Sequence, residues 1–247
     1  MNKFGSWAAG LAQNWLKKFQ LRHELSHATP PSHANELSGL AEAEVERVLL
    51  HIACGQANQN QIPLSGFQQA VWREVRLDAD PSVSPDIVGT MTDMSDVPDG
   101  YADAIYSSHG VEHLYWHDVP LALSEFRRTL KDDGFAVITC PDVQAAALMI
   151  AEDRMFDTAY ESPSGAITPF DILYSYRPFV QANPQWMSHH CGFTLTTLMA
   201  VLRDAGFAKV QGLRREGGFD LWVLASKSPR SEQEMADLAK DYLLTNP

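Results

Sequence analysis

Apolar positions along this chain follow two periods, and the change between them divides it into parts. Near the start, Phe4, Trp7, Leu11, Trp15 and Phe19 recur every three or four residues, which predicts an amphipathic helix within residues 1–28. Thr29-Pro30-Pro31-Ser32-His33 breaks it, and a second helix, rich in Ala, Leu and Glu, is expected over about residues 34–46. The period then shortens. Val48-Leu49-Leu50-His51-Ile52-Ala53 is an apolar run of strand length that stops at Cys54-Gly55. Shorter runs of the same kind cover 74–77, ending at Asp78; 86–88, ending near Gly89; 104–107, ending at Ser108-His109; and 135–139, ending at Cys140-Pro141-Asp142.

Helical patterns lie between and after these strands. One covers Val119 to Leu130 and is closed by Lys131-Asp132-Asp133-Gly134, where the glycine suits a helix end or a turn with positive φ. Another covers Thr194 to Ala205, with Thr194 as cap, Leu195, Leu198, Val201 and Leu202 on one face, and Gly206 as its stop. Two last strands, about 208–214 and 219–226, flank a Gly217-Gly218 hairpin turn, and a peripheral helix is expected from Ser231. The stretch from Gln56 to Trp72 holds Pro63, Ser65 and Gly66 and no helical period, so the first crossover is expected to be irregular. Residues 143–190 carry Pro163, Pro169, Pro178 and Pro184 and read as an irregular insertion, or cap, over the sheet. Strands alternating with helices predict an α/β fold: a doubly wound, mostly parallel sheet of seven strands with a C-terminal β-hairpin. The expected organisation is a helical extension over 1–45, one domain over 46–229 with the insertion at about 143–190, and the terminal helix over 230–247.

Composition narrows the chemistry. An apolar fraction of 45% over 247 residues supplies a full core and excludes disorder for most of the chain. Nineteen Lys plus Arg against 31 Asp plus Glu give a formal charge of −12, which repels phosphate backbones and argues against nucleic acid as a partner. Cys54, Cys140 and Cys191, sparse and odd in number, read as reduced thiols. No apolar run is long enough to span a membrane, and Gln13, Asn14, Lys17 and Lys18 interrupt any secretory signal, so a cytoplasmic location is expected. The first helix is locally basic, with Lys3, Lys17, Lys18 and Arg22. Its apolar stripe suits packing on its own domain, a homodimer contact, or docking on a partner or an anionic surface.

Ligands of open α/β sheets bind beyond the carboxyl ends of the strands. The residues there are Cys54-Gly55, Asp78, Asp93, Ser107-Ser108-His109 and Pro141-Asp142. A glycine after the first strand lets a ligand approach the backbone. An acid after the second can accept hydrogen bonds from both hydroxyls of a ribose, although a strand-end Asp also serves as a turn or helix cap. Met91-Thr92-Asp93-Met94 offers a polar and an apolar group for an adenine.

One long string carries a family resemblance: Asp103-Ala104-Ile105-Tyr106-Ser107-Ser108-His109-Gly110-Val111-Glu112-His113-Leu114, followed by Ala122-Leu123-Ser124-Glu125-Phe126-Arg127-Arg128-Thr129-Leu130-Lys131-Asp132-Asp133-Gly134. It resembles the class I S-adenosylmethionine-dependent methyltransferases, over about residues 48–226, and in particular a bacterial methyltransferase-11-like subgroup. The resemblance implies a Rossmann-like domain, S-adenosylmethionine as cofactor and S-adenosylhomocysteine as product. It implies cofactor contacts from His51, Ala53, Cys54, Gly55, Asp78, Ala79, Thr92, Asp93, Met94, Ser107, Ser108 and His109. The family's first loop usually holds Gly-x-Gly, whereas here Ala53 stands in place of the first glycine. If φ at this position is positive, alanine costs of order 1 kcal/mol.

Several residues admit two readings. His109, His113 and His117, spaced four apart with Glu112 among them, would share one helix face as metal ligands do, but Glu112-His113 also fits the family pair that follows the fourth strand, and Pro120 limits a helix there. His189-His190-Cys191 resembles a zinc half-site without a second cluster, so no metal is expected. Cys54 and Cys140 are strand-packing thiols unless a nearby cation activates them. The expected activity is methyl transfer to a nucleophilic O, N or C atom of a small molecule: a metabolite, sugar or natural-product intermediate. His109, His189 and His113 are the candidate bases, and Asp142, Tyr174 and Trp186 are expected to shape the acceptor pocket. The competing expectation is a catalytically weak or inactive methyltransferase fold serving as a scaffold, which the altered first loop keeps open.

Overall fold

Arg47–Ile52 forms β1 in the interior of the sheet, and its alternate side chains divide between two cores. Leu50 and Ile52 face one side and Leu49 the other, the period-two geometry of a strand buried on both faces. The computed structural model describes residues 46–215 and 217–243, so the helices expected within 1–45 lie outside them. Parallel to β1 run β2 (Trp72–Asp78), β3 (Ile87–Val88), β4 (Ala102–Ser108) and β5 (Leu130–Pro141). A small hairpin, β6 (Tyr160–Ser162) and β7 (Gly165–Ile167), stands apart. The sheet is completed by β8 (Lys209–Arg215) and β9 (Asp220–Ser226), with β9 antiparallel to both β5 and β8. The seven-stranded order is β3-β2-β1-β4-β5-β9-β8. The strand order reverses between β1 and β4, which opens a crevice at their carboxyl ends.

One face is covered by α1 (Val119–Thr129) and, further on, α6 (Leu195–Asp204), through Leu123, Phe126, Leu198 and Leu202. The opposite face lacks a helix from the first crossover. Two short 3₁₀ turns, Gln59–Gln61 and Ser65–Gln68, occupy that crossover and contribute only Ile62, Leu64 and Phe67 to the core. The missing layer is supplied by α7 (Glu232–Tyr242), where Met235, Ala239 and Tyr242 are buried. The expectation of a peripheral terminal helix is therefore corrected: Tyr242 packs 4.8 Å from both Phe67 and Phe135, ring to ring. A face left half open by an irregular crossover needs such a cover, because its Leu49, Tyr106 and Val137 side chains are apolar.

Two more expectations change. Lys131-Asp132-Asp133-Gly134 is no helix end but a bulge inside β5, where the register jumps from Leu130 opposite Ala102 to Phe135 opposite Ala104. Gly134 is needed for close approach and not for a positive φ, since a Cβ there would stand 2.9 Å from the Lys131 carbonyl oxygen. The segment 143–190 is more regular than its prolines suggest. It holds α2 (Val143–Ala151), the β6–β7 hairpin, and short helices α3 (Pro169–Tyr174), α4 (Arg177–Ala182) and α5 (Pro184–Met187), three of them begun by a proline in the first turn. Proline acts here as a starter as much as a breaker.

The chain turns sharply where β1 and β4 end. Ala53 has φ of 53° and His109 has φ of 51°, both in the left-handed region. Gly110 then passes against the first turn: a Cβ there would lie 2.8 Å from the Ala53 methyl group and 3.0 Å from Ser107 Oγ. Position 53 thus has an alanine where its backbone favours glycine, and position 110 a glycine because position 53 has a methyl group. Ala53→Gly should raise unfolding free energy by about 0.5–1 kcal/mol. Gly110→Ala should lower it by about 1–3 kcal/mol, and less when combined with Ala53→Gly. Urea unfolding of the double-mutant cycle measures the coupling, and strict additivity would contradict the contact.

Candidate functional site

A cleft of about 600 Å³ lies over the carboxyl ends of β1, β2 and β4. Of the residues expected to hold a cofactor, Ala53, Cys54, Gly55, Asp78, Ala79, Thr92, Ser108 and His109 line it. The loop after β1 is fixed from β2. Asp78 Oδ2 accepts from the Gly55 amide at 2.8 Å, and its Oδ1 accepts from the Asp80 amide at 2.9 Å. Each oxygen keeps a lone pair for a ligand. Two residues earlier, the Arg76 guanidinium donates to the carbonyls of Gly55 at 2.6 Å and Ala57 at 3.0 Å. These bonds do what a crossover helix would otherwise do, and nothing in the sequence marked Arg76 for that role. Space around Gly55 is open, with no atom within 4 Å of a Cβ placed there.

The other expected cofactor residues stand elsewhere. His51 is buried on the opposite face, where its Nδ1 lies 2.7 Å from Glu74 Oε1. Ser107 is fully buried. Met94 packs into the core, and Asp93 faces solvent, where it accepts from the Ser95 amide. The apolar and polar pair over this part of the cleft is instead Met91 and Thr92. Their loop is tied down by the Glu-Arg pair of α1. Arg128 donates to the carbonyls of Met94 and Val97 and pairs with Asp99 and Glu125, while Glu125 Oε2 accepts from the Met94 amide at 2.9 Å. The Glu125 carboxyl is held below its ordinary pKa chiefly by the Arg128 hydrogen bonds.

A smaller cavity of about 280 Å³ adjoins the cleft and shares Ala53, Cys54, Ser108 and His109 with it. Its far side has Tyr106, Arg215, Asp220 and Trp222, and His51 belongs to this cavity rather than the main cleft. Cys54 is no nucleophile: burial lifts its thiol to a pKa of about 11, outweighing the attraction of Arg76. Burial likewise raises Cys140.

The histidines separate. His109 is half-exposed between the two cavities, with Nδ1 3.2 Å from Glu112 Oε1. Desolvation works against its charged form, but the Glu112 carboxylate prevails and its pKa rises. After the single 3₁₀ turn Val111–His113 the backbone becomes extended at Leu114, so His109, His113 and His117 do not share a helix face. His117 is 79% exposed and stacks on Tyr115. His113 lines the cleft, and His189 packs edge-on behind it, ring centroids 5.0 Å apart. The neighbouring His190 stacks on Tyr115 at 4.3 Å, so the two adjacent histidines diverge. Of the expected acceptor residues only Trp186 reaches the cleft, together with Asn183, Gln185 and Met187, which proximity in sequence alone did not single out. Asp142 is buried as the cap of α2 and pairs with Arg214 at 3.2 Å. Tyr174 is exposed and packs on Phe170.

Residues 50–138 match the family described as "Methyltransferase domain". No curated protein matches the sequence. Among solved structures, the fold is similar to the CMeT domain of the citrinin polyketide synthase, with TM-score 0.52 and 12% identity over 77% of this chain and 48% of that one. The chain therefore spans about half the length of that structure. PH0226 protein from Pyrococcus horikoshii OT3 is similar at TM-score 0.50 and 11% identity, over 75% of this chain and 84% of that one. A Burkholderia thailandensis 1,6-didemethyltoxoflavin-N1-methyltransferase, solved with 1,6-didemethyltoxoflavin and S-adenosylhomocysteine, aligns over 93% and 92% at TM-score 0.44 and 13% identity. Among the described residues, no helix is long and apolar enough to cross a membrane. The family match over 50–138, set on a sheet of this order with its cleft at the switch point, marks this part of the chain as similar to the S-adenosylmethionine-dependent methyltransferase domains of class I fold.

Proposed function

We propose that this enzyme methylates a nucleophilic oxygen, nitrogen or carbon of a small, phosphate-free acceptor. The carrying observation is that one cleft runs from Asp78 and the first loop to Asn183, Gln185 and Trp186 of the insertion, and that among the described residues no lysine or arginine lines it. Its 600 Å³ suits a cofactor with a compact acceptor, within the usual range of small-molecule sites. Carboxylates of Asp78, Asp80 and Asp118 and the rings of Tyr115 and Trp186 favour a neutral or cationic, flat ligand over a polyphosphate. The overall charge of −12 points the same way.

In this reading Asp78 takes the ribose hydroxyls, and Met91 and Thr92 take the adenine. The charge pair Arg215–Asp220 of the smaller cavity, 2.9 Å apart, complements a zwitterionic amino-acid tail. S-adenosylmethionine supplies an electrophilic methyl group on a sulfonium, so no acid is needed for the leaving group. The chain's task is alignment, which is worth about 7–11 kcal/mol in favourable intramolecular cases. Where the acceptor carries a proton, His109 is the candidate to take it; its position bordering both cavities supports this reading. His189 is a weaker candidate: it does not line the cleft, and its Nδ1 is engaged with the Ile172 carbonyl at 3.1 Å.

Thermal unfolding tests the cofactor assignment. S-adenosylhomocysteine at about 100 times its Kd should add about 2.7 kcal/mol, a rise in Tm of about 5–10 °C for a domain of this size. Asp78→Ala should abolish the rise, and Asp78→Asn, which keeps one acceptor oxygen for the Gly55 amide, should reduce it. A full rise in both variants would remove Asp78 from the site, and none in the wild type would favour the scaffold reading.

Turnover tests the acceptor side. With an acceptor found by S-adenosylhomocysteine release from a panel of flat, phosphate-free compounds, His109→Ala should lower kcat about 100-fold or more while preserving the thermal shift. Trp186→Ala should instead raise the acceptor KM. Unchanged kcat in His109→Ala would show that His109 is not the base.

A further inference from the structure

Beneath the rim of the cleft, the carboxylate of Glu112 and the imidazoles of His113 and His189 converge. One ligand-type atom from each lies within 4.8 Å of the others. Glu112 is 1% exposed, and among the described residues neither of its oxygens finds a hydrogen-bond partner of good geometry. An ionised carboxylate without donors costs several kcal/mol to bury, so a cation is expected nearby. His109 answers for Oε1 only, at 3.2 Å, and among the described residues no lysine or arginine is paired with Glu112.

Both other rings are oriented as metal ligands are. Nδ1 of His113 lies 3.1 Å from the Ser188 carbonyl oxygen, and Nδ1 of His189 lies 3.1 Å from that of Ile172. A carbonyl only accepts, so Nδ1 carries the proton in each ring, and in the neutral ring Nε2 keeps its lone pair. An imidazole anchored in this way, with the second nitrogen free, is the usual support of a metal-bound histidine. The two rings come from chain segments 76 positions apart, and the segment before α6 is docked here by the His190 and Cys191 amides, which both donate to the Glu112 carbonyl.

We propose that Glu112, His113 and His189 bind one divalent first-row transition-metal ion of the Zn²⁺ or Fe²⁺ class, with a coordination position open to the cleft. Two nitrogens and one carboxylate disfavour Mg²⁺ and Ca²⁺, which take oxygen ligands. Three protein ligands are the number found where a metal keeps a position for water or substrate. Ligands at about 2.0–2.2 Å from one ion stand at most about 4.4 Å apart, so a small inward shift completes the set. The open position faces ligands because His113 itself lines the cleft, next to His109 and Gly110. An acceptor hydroxyl would be the natural fourth ligand there. That last assignment rests on the methyl-transfer reading, whereas the ion site does not.

The test uses the full chain, untagged, stripped with a chelator and titrated with Zn²⁺, then dialysed for elemental analysis. The wild type should retain about one equivalent, and Glu112→Gln and His189→Ala should each weaken Zn²⁺ binding about 100-fold or more, a loss of about 2.7 kcal/mol. His117→Ala, on the exposed ring nearby, should bind as the wild type does. The thermal shift with S-adenosylhomocysteine should persist in the two ligand variants, so failure of the metal site and failure of the cofactor site are read separately. No retained Zn²⁺ in the wild type, or equal retention in Glu112→Gln and His189→Ala, overturns the proposal and leaves Glu112 as the counter-ion of His109 alone. If the variants do not fold, Co²⁺ added to the wild type decides: visible d–d bands of a nitrogen-ligated, four- or five-coordinate ion support the site, and their absence overturns it.

Discussion

Two neighbouring parallel strands, β1 and β4, must each release the chain through a left-handed residue at the same edge of the sheet. That constraint organises the site. Ala53 and His109 have φ of 53° and 51°, values that cost most side chains free energy. Neither turn would persist alone. The first is held by Asp78 and Arg76 of the adjacent strand, the second by the backbone bond from the His109 amide to the Thr139 carbonyl of β5. Strain at the strand ends is thus offset by hydrogen bonds drawn from the strands on either side. The result is an open space at Gly55 and a histidine that borders both cavities.

The same economy of parts explains the family string. Glu125 and Arg128 accompany the motif, and their bonds run to Met94, Val97 and Asp99. They hold a loop in place, and Met91 and Thr92 are consequently fixed over the cleft. Charge-assisted bonds of this sort are stronger than neutral ones, and five donors on one planar guanidinium can hold several loop carbonyls at once. Arg76 uses the same property on the first loop. Two arginines thereby stand in for regular secondary structure where the crossovers provide none.

The insertion performs the third task. Its short helices bring Asn183, Gln185, Trp186 and Met187 over the cleft, and the strand-like segment that leaves it places His189 against His113. Glu112 then sits among three imidazoles, and the hydrogen bond from His109 holds its carboxyl below the ordinary range although burial opposes that. A buried acid of this kind stabilises little by itself, so its presence points to a ligand or a neighbour that uses the charge.

From the residues alone, the strand runs, their order, the two helices flanking the motif and the terminal hairpin were legible. Alternation within Val48–Ile52 and the glycine and acid stops are local properties that burial enforces wherever they occur. Asp78, Thr92, Ser108 and His109 could be placed at the cleft because strand ends in such a sheet share one edge. Tertiary structure decided the rest. Whether Asp93 or Thr92 faced the cleft depended on a loop tied by a helix residue 31 positions away. That the last helix is a core layer depended on the empty face left by the first crossover. The meeting of His189 with Glu112 and His113 joins segments that no periodicity connects, since only the packing of the insertion on the sheet brings them within reach. Local sequence fixes what a segment prefers. Which side chains become neighbours across long loops is set by the packing that closes them.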